Sequence, residues 1–69
     1  MRSAQQQLIH MVNQIGENNQ HSGVESAAAF TSTHIQKFWA RSMKQDIIQH
    51  LNNGGQGLSE ISIAAIKKL

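Results

Sequence analysis

The side chains of this 69-residue sequence best suited to metal or acid–base chemistry are four histidines and four carboxylates, with no cysteine. His10, His21, His34 and His50 are never three or four residues apart, so no helix presents two on one face and no thiolate completes a set. No metal site is expected. Glu17, Glu25, Asp46 and Glu60 fall in separate segments and cannot form an acid–base pair from neighbours. The serines are abundant, but none lies in the Gly-x-Ser-x-Gly setting of a nucleophile elbow. The sequence therefore predicts no catalytic residues and no free-standing enzyme.

Two further segments could bind anions. Gly54, Gly55, Gln56 and Gly57 have the glycine content of a phosphate cradle but lack the lysine and hydroxyl residue that follow a P-loop, and no strand precedes them. They read as a helix stop and turn, after which amides at the Ser59 helix start can still receive an anionic group. Lys37, Arg41 and Lys44 make a short basic run, but a net charge of +2 is small for a nucleic-acid reader, where phosphate contacts dominate affinity. No nucleic-acid partner is expected.

The informative residues are aromatic. The stretch HIQKFW, residues 34–39, sets Phe38 beside Trp39 in a chain whose other aromatic ring is Phe30. Neighbouring helix positions point about 100° apart, so one apolar stripe cannot centre both rings. Phe38 continues a stripe through Val24, Ala28, Thr31 and Ile35, whereas Trp39 shares a stripe with Met43 and Ile47. Either both stripes are buried between helices, or Trp39 with Arg41 and Met43 forms an interface anchor.

The elements that position these residues are helices. Leu8, Met11, Val12 and Ile15 have helical spacing, predicting a helix from about Ser3 that ends at Gly16, followed by a loop over 17–23. Ser22 and Glu25 have capping-box spacing before a second helix. The apolar series then runs to Leu51 without glycine or proline, permitting one helix of about 28 residues or two with a kink near Ala40. The glycine segment stops it, and Ser59 caps a last helix bearing Ile61, Ala65, Ile66 and Leu69. The expectation is all-α: a small bundle of three to four helices with short connections, one domain over residues 1–69, with residues 1–7 free to fray.

A chain of this length buries only about 60% of the surface its unfolded form exposes, and it has no disulfides to compensate. Support from a partner or from self-association into a homo-oligomer is expected. No stretch approaches membrane-spanning length and no export signal is recognisable, so a cytoplasmic protein without a membrane partner is expected.

HIQKFW, the methionine of ARSMK, IIQHL and GGQGL occur in an order that resembles the delta subunit of NAD-dependent, molybdenum-containing formate dehydrogenase. The first-helix MVNQI is similar to that family's opening segment, so the resemblance runs from about Leu8 to Leu69. His34, Phe38, Trp39, Met43, Gly54, Gly55, Gly57 and Leu58 match residue by residue. The family's pattern after the tryptophan has proline followed by arginine, whereas this chain has Arg41 and Ser42; a proline there would break the preceding helix.

The resemblance implies a non-catalytic accessory subunit or assembly factor that supports formation or stability of the active molybdenum enzyme. Its implied partner is the catalytic subunit or its maturation factor, contacted through Trp39, Arg41, Met43 and Lys44. No bound cofactor is expected. A variant reading has His34, Gly54, Gly55, Gly57 and Ser59, with Arg41 or Lys44, touching bis-molybdopterin guanine dinucleotide during assembly. The alternative is a self-associating helical module with no formate dehydrogenase partner.

Overall fold

Helix α1, Ala4–Asn18, opens the described part of the chain, residues 3–69 of a computed structural model. Met1 and Arg2, at the outer end of the segment expected to fray, lie outside the described residues. Ser3 caps α1 through a reciprocal pair: the Gln6 amide donates to Ser3 Oγ at 3.1 Å and the Ser3 amide donates to Gln6 Oε1 at 3.0 Å. Leu8, Val12 and Gly16 are the buried face of α1, recurring every four residues.

Gly16 was expected to end this helix; instead it lies inside it, packed against α4. A Cβ built there would meet Ile61 Cγ2 at 2.9 Å. The glycine provides close approach between helices, and α1 ends two residues later. The expected 17–23 loop is correspondingly shorter and contains a 3-10 turn at Gln20–Ser22. The Ser22–Glu25 capping box is not formed. Ser22 Oγ donates backwards to the Asn19 carbonyl at 2.7 Å, and Gly23, at φ 92°, occupies the cap position of the next helix.

Helices α2, Val24–Phe38, and α3, Arg41–Asn52, resolve the long apolar series into two. Trp39 and Ala40 are extended, with ψ of 141° and 155°. The break occurs without glycine or proline because Trp39 turns into the core: burying an aromatic side chain of roughly 200 Å² contributes up to about 5 kcal/mol. Each helical hydrogen bond forgone costs only about 0.5–1.5 kcal/mol. Lys44 Nζ donates to the Gln36 carbonyl at 3.0 Å, placing a cation at the negative end of α2 and satisfying one of its open carbonyls.

Gly54 and Gly55 end α3, and α4, Glu60–Ile66, follows with Ser59 as its cap. Gly55 is buried beneath Leu51 and Leu58 with φ 65°, a combination suited to a residue without Cβ. Helix α2 packs most extensively on α4, and both present small residues there: Ala27, Ala28, Thr31 and Ser32 from α2, Ser62 and Ala65 from α4. The main hydrophobic cluster joins Leu8, Val12, Ile35, Trp39, Ile47 and Ile66. The described residues form a compact all-α globule of four α-helices, with a radius of gyration of 10.8 Å against about 11 Å expected for a compact chain of this length.

Candidate protein-interaction surface

The structure separates the adjacent rings. Phe38, assigned by periodicity to the core, is 71% exposed, whereas Trp39, open between core and interface by periodicity and offered as a partner contact by the resemblance, is 6% exposed and belongs to the main hydrophobic cluster. The reason is local: Trp39 stands one turn beyond buried Ile35, to whose carbonyl its N–H still donates at 3.0 Å, and its extended ψ turns the chain only after it, whereas Phe38 continues the outer row of Phe30 and His34. Of the other residues expected beside Trp39, Arg41 is exposed, Met43 is half-buried against the core, and Lys44 is committed to the Gln36 carbonyl.

Phe30, His34 and Phe38 lie at four-residue intervals on α2, one turn apart along its outer face. Phe30 and His34 stack with ring centroids 6.4 Å apart and planes at 29°; His34 and Phe38 are 4.8 Å apart at 47°. Phe30 is itself 52% exposed. With Thr33 and Lys37 these rings line a dent of about 120 Å³. Two of the chain's three aromatic residues are therefore outside, on one helix face. Phe30 and Thr33 were missed by sequence reasoning. The signal was available in the 30, 34, 38 spacing, but assigning Phe38 to the core obscured it.

The glycine segment and Ser59 form a different surface. Asn13, another residue that sequence reasoning missed, ties this surface to α1: its Nδ2 donates to the Gly57 carbonyl at 2.9 Å, while its Oδ1 accepts from the Ser59 amide at 3.0 Å and from Ser62 Oγ at 2.6 Å. Ser59 Oγ accepts from the Ser62 amide, the Gly55 amide donates to the His50 carbonyl, and the Gly54 amide donates to that of Leu51. His50 Nε2 lies 2.8 Å from the Gln56 carbonyl and donates to it, since a carbonyl can only accept.

These bonds commit the amides of Gly54, Gly55 and Ser59 to the fold. The loop and His34 line separate depressions; the one beside the loop, about 410 Å³ and open, is bounded by Gln5, Gln6, Ile9, His50, Gln56 and Gly57. The structure does not bring His34 together with the glycines and Ser59 as a pyrophosphate cradle. Among the described residues no three His, Asp or Glu side chains gather as a metal site, and no helix is long and apolar enough to cross a membrane.

Compared with known protein families, residues 7–66 match the family described as NADH-dependent formate dehydrogenase delta subunit FdsD. No curated protein and no solved structure matched the chain.

Proposed function

Because this chain belongs to the family of NADH-dependent formate dehydrogenase delta subunits, we propose that it is a non-catalytic accessory subunit that binds another subunit of a molybdenum-containing formate dehydrogenase. Its role is to support formation or stability of the active enzyme. The observation that carries this reading within the family is the outer face of α2, where Phe30 and Phe38 are held in the open by His34 between them. Large apolar side chains grouped on the surface of a small chain mark a contact site.

Bis-molybdopterin guanine dinucleotide does not fit the residues that the sequence pattern offered for it. The amides of Gly54, Gly55 and Ser59 already have acceptors within the chain, and His34 belongs to the aromatic face. The supporting role therefore acts through protein contact.

The test is to produce the other formate dehydrogenase subunits with and without this chain, then measure co-elution and formate-dependent NAD reduction. The expected outcome is a stable complex containing the chain, and loss of activity or of assembled enzyme in its absence. Elution apart, or full activity and assembly in its absence, would overturn the proposal.

A further inference from the structure

Residues Phe30, Thr33, His34 and Lys37 stand at positions i, i+3, i+4 and i+7 of α2, and they surround the dent of about 120 Å³ with Phe38 as its far wall. Four residues in that spacing form the hole that receives a knob from a facing helix. The rings do not close over it: Phe30 and Phe38 are spaced apart by the imidazole of His34. Resting on the subunit role above, we propose that this face receives a helix of another formate dehydrogenase subunit. One apolar side chain of that helix seats in the dent over His34, flanked by Phe30 and Phe38, and a carboxylate beside it meets Lys37.

Charge specifies the second feature. Glu25 is the one carboxylate on α2 and lies more than three turns before Lys37. Lys37 is exposed at the edge of the hole, and exposed Arg41 begins the next helix. Lys44 is already held by the Gln36 carbonyl. Lys37 thus makes the rim of the hole cationic, and a carboxylate on the incoming helix complements it.

Area argues against a second copy of this chain as the occupant. With roughly 200 Å² per side chain, Phe30 and Phe38 expose together about 250 Å² at their 52% and 71% exposures. A stable interface buries about 800 Å² per partner, close to a fifth of this chain's 4476 Å² surface. An isologous pair joined through this one face would fall well short, and it would add its own cationic rim twice. A larger subunit can seat the same stripe and add contacts around it.

The absence of cysteine allows a single-site probe. A full-length Thr33→Cys chain carrying a benzophenone label is mixed with formate dehydrogenase subunits prepared without their own delta chain, irradiated, and the crosslinked peptide identified. The expected crosslink is to an apolar position of a helix in another subunit with an acidic residue within one turn. In parallel, Phe38→Ala should weaken association about tenfold or more, and Lys37→Gln should flatten its salt dependence. Crosslinking between two copies of this chain, or undiminished binding by Phe38→Ala, would overturn the docking mode while leaving the subunit role intact. Failure of the unaltered chain to form any complex would overturn both.

Discussion

Phe38 follows Phe30 and His34 along the outer face of α2 while Trp39 stands one turn beyond buried Ile35, so adjacent residues carry an exposed ring and a buried one. The two residues should therefore respond oppositely to truncation. Trp39→Ala removes a core ring and should cost about 3–5 kcal/mol, enough to unfold most of so small a chain; circular dichroism and denaturant titration measure it. Phe38→Ala removes a ring that is mostly in water and should leave stability within about 0.5 kcal/mol, while association with the partner falls. Trp39 emission should be at short wavelength in the free chain and should hardly move on docking, because the indole is already covered. A red-shifted spectrum in the free chain would contradict its place in the core.

At the scale of the elements, two positions test how the helices are set. Alanine for glycine within a helix ordinarily stabilises by up to about 1 kcal/mol. At Gly16 the new Cβ would lie 2.9 Å from Ile61 Cγ2, a methyl fixed to a branched Cβ that cannot swing aside. Overpacking of this kind costs about 1–3 kcal/mol, so Gly16→Ala should lower the Tm, and Ile61→Ala should relieve part of that loss in the double mutant. Arg41 is the first residue of α3, where the N–H has no intrahelical acceptor, and Ala40 before it is already extended at φ −64° and ψ 155°. Arg41→Pro should accordingly stabilise the free chain by about 0.4–1 kcal/mol, read as a raised Tm. The same positions show what was legible in the sequence. Periodicity found the apolar faces, and the Ser59 cap and glycine stop stood out because their determinants are local. A helix end and a close helix crossing both call for glycine, and only Ile61, 45 positions further on, decides between them at Gly16. The α2–α3 break depends on the Trp39 ring reaching the core and on Lys44 capping the Gln36 carbonyl eight residues back. Placing Phe38 in the core stripe hides its place in the row of Phe30 and His34, and with it the candidate surface.

For the whole molecule, the same small size that limits internal burial leaves little surplus stability, so docking should raise it measurably. A partner that binds only the folded chain adds RT ln(1 + [L]/Kd), about 2.7 kcal/mol at one hundred times Kd. In a chain of this size that corresponds to a Tm rise of roughly 10–20 °C. A tenfold loss of affinity in Phe38→Ala would leave about 1.4 kcal/mol at the same partner concentration, near half of the stabilisation. The free variant should meanwhile melt as the parent does. Thermal melts of both chains, alone and with the other formate dehydrogenase subunits, separate these contributions. A Tm that rose with the concentration of this chain alone would identify a second copy as the stabilising partner. A Tm that rises only with the other subunits, and rises less for Phe38→Ala, assigns the stabilisation to the α2 face in a complex of unlike chains.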